Sequence, residues 1–199
     1  MDHADIAKKL KGFASTLELS EELASLFISM GKVVKYKRKE VFVRQGEPCL
    51  YVGAILEGDF RFSRCTPEGI NRVIGYNFPY DFMTDYPAFL KREPGNYTIE
   101  AANDSLVYQV SYEQVMAFFE MNAETQRFGR KIAEMLLIKR EKMLLSFYFA
   151  TLEERYMMIM RKCRERNLQL NLKEIASIIG VTPETVSHIR KRLLLQGKS

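Results

Sequence analysis

The stretch from Val33 to Ser111 places the tightest limit on the fold. It carries short apolar, β-branched and aromatic runs at Val41–Val43, Tyr51–Leu56, Phe60–Phe62, Arg72–Tyr76, Thr98–Ala101 and Leu106–Val110. Turn signals separate them: Gln45-Gly46-Glu47-Pro48, Glu57-Gly58-Asp59, Pro67-Glu68-Gly69, Phe78-Pro79 and Glu93-Pro94-Gly95-Asn96. Glycine supplies the positive φ that tight turns need, and proline presets the other corner. No 3.6-residue apolar period runs through the segment. Several short strands closing on themselves as a sandwich or barrel are therefore predicted.

Both flanks change period. Residues 4–30 read as helical, with Ser20 as an N-cap ahead of Leu23, Leu26, Phe27 and Met30 at the spacing of a buried stripe. Residues 112–149 read as helical again. There the runs Met135–Ile138, Met143–Leu145 and Phe147–Phe149 spread apolar surface over more than one face. A helix apolar on two faces must bury both. One can lie on the β core; for the other a twofold seam with a second copy is expected, formed by Phe128, Ile132, Met135, Leu136, Met143 and Phe147. A helix clamped between two domains of one chain would meet the same need.

Thr151-Leu152-Glu153-Glu154 has the spacing of a capping box and opens a further helix, buried through Leu152, Tyr156, Ile159, Met160 and Cys163. A helix start directly after a helical run marks a hinge at Ala150 and Thr151. The chain thus divides into 1–111, 112–150 and 151–199.

Charge follows this division. Residues 1–149 hold 20 Lys/Arg and 20 Asp/Glu, whereas residues 150–199 hold 10 and 5, so the net +5 lies wholly in the last part. Such asymmetry points to nucleic acid at one end, although a solvated basic helix would carry the same charge. Cys49, Cys65 and Cys163 are widely spaced, with only His3 and His188 for company, so free thiols and no metal or cofactor are expected. The longest apolar run, Met143–Ala150, is far short of the roughly 20 residues a membrane span needs. Nor does the N-terminus carry the apolar core of a signal peptide. A cytoplasmic protein is expected.

Residues 172–195 are the most informative about function. Leu172, Ile175, Ala176 and Ile179 line one side of a helix, and Gly180 stands where a left-handed residue would end it. Thr182 then serves as N-cap and Pro183 as first helical residue of a second helix that buries Val186, Ile189 and Leu193. Two short helices around a glycine turn have helix-turn-helix geometry. On a helical wheel Glu184, Ser187, His188 and Lys191 project away from the buried stripe. Arg192 lies at one flank, and Arg190 lies near the stripe, from which it would snorkel to a phosphate. A polar face near a helix N-terminus suits the major groove.

At this point the chain resembles the CRP/FNR family of bacterial transcription regulators. The matching pieces are RQGEPCLYVGAILEGDFRF, VYQVSYEQVMAFF, EERY at the hinge and EIASIIGVTPETVSHIRK, within residues 33–195. The resemblance implies an α+β chain: an N-terminal jelly-roll-like β-roll of the cyclic-nucleotide-binding type with flanking helices, a long dimerisation helix and a C-terminal helix-turn-helix domain. It implies a homodimer on double-stranded DNA with a palindromic operator, and it allows RNA polymerase as a further partner. The family's E-x-x-S-R pattern falls on Glu184, Ser187 and His188, with His where Arg is usual. These become the base readers, while Thr182, Thr185, Arg190, Lys191 and Arg192 become backbone contacts. Arg161, Lys162, Arg164 and Arg166 would add to these or form a solvated face. The family's β wing after the second helix is expected to be absent or truncated at Gly197-Lys198-Ser199.

The expected effector pocket departs from the family pattern. Thr84-Asp85-Tyr86 replaces Gly-Glu-Leu, and Gly95-Asn96 stands where Arg-Ser/Thr would hold a cyclic phosphate. Thr84, Asp85, Tyr86, Arg92, Asn96 and Thr98 are the candidate pocket residues, with Arg92 as the available cation. Cyclic AMP is not the expected effector, and the small-molecule ligand stays open. Two other classes compete. One is a β-roll sensor or scaffold whose basic tail binds a protein. The other is an enzyme, against which stands the absence of a P-loop, a G-x-S-x-G turn or a paired Cys/His constellation.

Overall fold

A computed structural model describes residues 3–166, 168–195 and 197. Two helices, α1 (His3–Ala14) and α2 (Glu21–Met30), precede eight strands. These are β1 (Lys32–Tyr36), β2 (Val41–Val43), β3 (Tyr51–Glu57), β4 (Phe60–Cys65), β5 (Asn71–Asn77), β6 (Phe82–Met83), β7 (Thr98–Ala101) and β8 (Ser105–Ser111). A short helix α3 (Tyr86–Lys91) lies between β6 and β7. The chain continues through α4 (Tyr112–Phe119), α5 (Ala123–Phe149), α6 (Leu152–Arg166), α7 (Leu172–Ile179) and α8 (Pro183–Leu195).

The strands form two four-stranded antiparallel sheets, ordered β1-β8-β3-β6 and β2-β7-β4-β5. Ile55, Phe60, Ile99 and Val107 are fully buried between them. In β8 the six residues Ser105–Val110 are all buried, so alternation disappears. The reason is a second cover: Tyr108 packs edge-on to Phe27 at 5.7 Å and near Phe13 at 6.1 Å, closing α1 and α2 over the back of the sheet. The Tyr108 hydroxyl donates to the Phe27 carbonyl.

Every strand read from the sequence is present. Two short ones, β1 and β6, and the helix α3 were missed. The single helical segment over 4–30 is two helices. Ser15 and Thr16 turn their hydroxyls back onto the carbonyls of Gly12 and Phe13, both at 2.7 Å, and Glu18 takes a left-handed φ of 52°. Such side-chain bonds compete with the helix ladder and end it. Ser20 precedes α2 as read, but its side chain makes no capping bond.

The capping box at the hinge is present: Glu154 N donates to Thr151 Oγ1 at 3.2 Å, and Thr151 N donates to Glu154 Oε2 at 2.7 Å. Between α5 and α6, Ala150 is extended at φ −81° and ψ 139°. The C-terminal helices make their own core from Tyr156, Ile175, Ala176, Ile179, Val186, Ile189 and Leu193. The expectation about a wing falls on Lys198 and Ser199, outside the described residues.

Candidate nucleic-acid interface and effector pocket

The turn between α7 and α8 is built as its residues dictate. Gly180 sits at φ 77°, ψ 37°, and its N–H closes the last turn of α7. At the other end Asn171 and Glu174 form a capping box, with Glu174 N donating to Asn171 Oδ1 at 3.0 Å. Thr182 Oγ1 accepts from Thr185 N at 3.3 Å and caps α8. Val186, Ile189 and Leu193 are buried, which turns Glu184, Ser187, His188, Arg190 and Lys191 to solvent. Ser187 Oγ donates back to the Pro183 carbonyl at 3.2 Å. The Glu184 carboxyl lies below its usual range because its own backbone N–H and the Thr182 hydroxyl favour the charged form. It is an ionised acceptor on an exposed helix face.

The hinge residues EERY each have a structural task. Glu153 pairs with Arg192 of α8, and Glu154 caps α6. Arg155 donates to the Ile179 carbonyl at 2.8 Å, at the negative end of α7, and its guanidinium stacks 5.0 Å from the Phe147 ring. Tyr156 belongs to the core. Arg192, expected on phosphates, thus already holds a partner within its own domain. Arg166 lies over the Phe78 ring at 5.4 Å, turned towards the β-roll.

α5 exposes apolar side chains on two faces. Phe128 is buried in the β-roll core against Phe27 and Phe118. Ile132 packs on the same core, and Leu136, Met143 and Phe147 line a half-open cavity. Of the six residues expected at a dimer seam, Met135, Met143 and Phe147 are exposed and Leu136 is half-buried. A second exposed apolar face carries Leu137, Ile138, Leu144, Leu145, Tyr148 and Phe149. The sequence showed two apolar faces but held nothing to say which one the β-roll takes.

The cavity has a volume of about 1110 Å³ and is lined by Thr84, Asp85, Tyr86 and Asn96 among others. Arg92 and Thr98 are not among its walls. Arg92 is the left-handed C-cap of α3 at φ 58°. Its side chain pairs with Glu113 at 3.5 Å and lies over the Tyr112 ring, away from the cavity. The Thr98 hydroxyl accepts from Gln45 N at 3.1 Å. Asp85 is 1% exposed and caps α3. Its Oδ2 accepts from Asn96 N at 2.6 Å and Asn96 Nδ2 at 3.0 Å. Tyr97 donates to the Thr84 carbonyl at 3.1 Å and accepts from Arg140 at 3.4 Å. Burial and the nearby Asp85 charge push the Tyr97 hydroxyl up to about 12.

Sequence reasoning missed a polar contact between the β-roll and α7. Glu174 Oε1 accepts from Tyr76 Oη at 2.9 Å and lies 3.5 Å from Arg61, which also pairs with Glu100. Ser177 Oγ donates to the Val73 carbonyl at 2.8 Å. Nothing local to Glu174 pointed to partners about a hundred positions away.

A β-roll joined by a long helix to a helix-turn-helix defines a class of folds. Residues 33–122 match the family model of the cyclic nucleotide-binding domain. FixK2 from Bradyrhizobium japonicum superposes with a TM-score of 0.70 at 20% identity, over 84% of this chain and 86% of its own. The c-di-GMP-responsive global regulator CLP of Xanthomonas campestris gives 0.68 at 14%, over 89% and 93%. A Eubacterium rectale protein assigned to the CRP/FNR family of transcriptional regulators gives 0.71 at 12%, over 90% and 86%. No curated protein matches the sequence. The chain has the fold of the CRP/FNR-family transcription regulators, as its sequence resemblance implied. No helix among the described residues is long and apolar enough to cross a membrane.

Proposed function

We propose that this chain is a sequence-specific DNA-binding transcription regulator that reads a palindromic operator as a homodimer. The observation that carries the reading is α8. Its apolar stripe is spent on the domain core, which leaves Glu184, Ser187, His188 and Lys191 outward on an N-terminally capped helix. Glu184 accepts from a cytosine amine, His188 donates to a base edge, and the Ser187 hydroxyl, whose proton goes to the Pro183 carbonyl, accepts there. Lys191 and Arg190 sit on phosphates, with Thr182 and Thr185 at the helix start. The second apolar face of α5, from Leu137 to Phe149, supplies the twofold seam, because a helix exposing nine large apolar side chains in water is better covered. The β-roll serves as a diverged sensor for a ligand other than cyclic AMP.

The test is selection of bound duplexes from a randomised pool at about 150 mM salt, since affinity depends on ionic strength. Enrichment of an inverted repeat with half-sites about one helical turn apart is the expected result. Enrichment of nothing, from a chain shown to be dimeric, would overturn it. The exposed Leu194 and Leu195 at the end of α8 would then favour a protein partner for the tail.

A further inference from the structure

The large cavity is not confined to the β-roll. It begins at Thr84, Asn96 and Tyr97, follows the inner face of α5, and ends against Met158 of α6 and Ile178 of α7. Its volume of about 1110 Å³ stands at the upper end of small-molecule sites, roughly 300–1,000 Å³. The walls are dominated by aromatic and aliphatic side chains.

Charges of both signs stand near Tyr97 at the β-roll end of the cavity, Asp85 buried and Arg140 exposed. At α3 the buried Asp85 carboxylate is held by two N–H groups of Asn96. Those donors are already used, and a phosphate placed there would meet a fixed negative charge. The candidate cation Arg92 points elsewhere. At the rim stands Arg140, exposed, with the Tyr97 hydroxyl as its one polar contact among the described residues. Lys139 beside it reaches Asn77 Oδ1 at 3.4 Å. A guanidinium carries five N–H donors in a planar fork that matches a carboxylate. Arg64, Lys139, Lys142 and Lys162 add further cations to the lining, and a long apolar channel rimmed by cations selects an apolar anion.

We infer that this cavity takes an elongated apolar carboxylic acid, its carboxylate gripped by Arg140 beside Tyr97 and its body lying along Phe62, Leu136, Met143 and Phe147 towards α7. The inference rests on the cavity being the sensor site and is independent of DNA reading. The far end of such a ligand touches both the β-roll helix α5 and the reader domain.

The test uses the full chain without DNA and a dansyl-labelled fatty acid as fluorescent probe, competed by dodecanoate, dodecanol or cyclic AMP. Dodecanoate should displace the probe at least about tenfold more strongly than dodecanol, the factor expected of one charge-assisted pair. Arg140→Ala should weaken dodecanoate by about tenfold and leave dodecanol unchanged, while Arg140→Lys restores part of the preference. His188→Ala, on the DNA face, should bind the probe normally, so a failure here is separable from a failure of DNA reading. The inference is overturned if no probe binds, if acid and alcohol compete equally, if Arg140→Ala changes nothing, or if cyclic AMP alone displaces the probe.

Discussion

The phenolic hydroxyl of Tyr76 on β5 donates to Glu174 Oε1 on α7 at 2.9 Å, joining residues 98 apart in the chain. Arg61 stands 3.5 Å from the same carboxylate, and Ser177 one turn further along α7 bonds the β5 backbone at Val73. The first helix of the helix-turn-helix is therefore bonded directly to the β-roll. A ligand that shifted β5 would act on α7 through these groups, a differential contact of the kind a population shift requires.

Tyr76→Phe removes the hydroxyl and leaves the ring. We expect a loss of about 1 kcal/mol in the stability of the docked domain, the usual net worth of one hydrogen bond. Hydrogen exchange of the α7 amides should quicken in the variant. Unchanged exchange would mean the contact contributes nothing to docking.

The same pair sets a pH dependence. Burial first, and then the Glu174 carboxylate, raise the Tyr76 hydroxyl above its ordinary value of 10.0. A group raised in the folded state stabilises fully below its unfolded pKa, and the contribution fades as pH climbs through the folded one. The stability gap between wild type and Tyr76→Phe should stay constant from neutral pH to 10 and close only above it. Urea unfolding at several pH values measures this, and a gap closing near neutrality would refute it.

Gly180→Ala places a Cβ at φ 77° and 3.2 Å from the Phe147 ring. Left-handed backbone in a non-glycine residue costs about 1–3 kcal/mol. The thermal midpoint of the C-terminal domain should fall, while Gly69→Ala, also at positive φ but with nothing near its Cβ, should cost less. Equal losses would show that the Phe147 contact does not matter.

On DNA, His188→Ala should relax preference at one base pair per half-site, by about 1–3 kcal/mol. Lys191→Ala should weaken all duplexes alike and lower the salt slope by about one unit. Arg192→Ala should lower stability more than the salt slope, because its partner is Glu153. Salt titrations of the three variants against specific and scrambled duplexes separate these outcomes.

Leu145→Glu introduces a charge on the outward apolar face of α5, where Leu145 is 45% exposed in the single chain. Sedimentation should show a monomer with unchanged helix content. Leu136→Ala, facing the cavity, should leave the association state alone. The opposite pattern would restore the inner face as the seam.

Sequence by itself determined six of the eight strands, the β character of 33–111, the helix start after Thr151 and the two helices around Gly180. Each of these is a local matter. Turn residues, capping pairs and apolar period act within a few positions of one another, so one strip of chain contains the whole cause. The outward face of α8 was legible for the same reason, since burying Val186, Ile189 and Leu193 leaves the opposite side no choice. Tertiary structure alone decided the rest. It seated Phe128 and Ile132 on the β-roll and left Leu145 outward, sent Arg92 to Glu113, gave Arg192 to Glu153 and set Tyr76 against Glu174. Periodicity shows that a face must be covered but not by what. A charged side chain on a flexible stem goes to the partner that folding brings within reach, and that partner is fixed by packing distant in the chain.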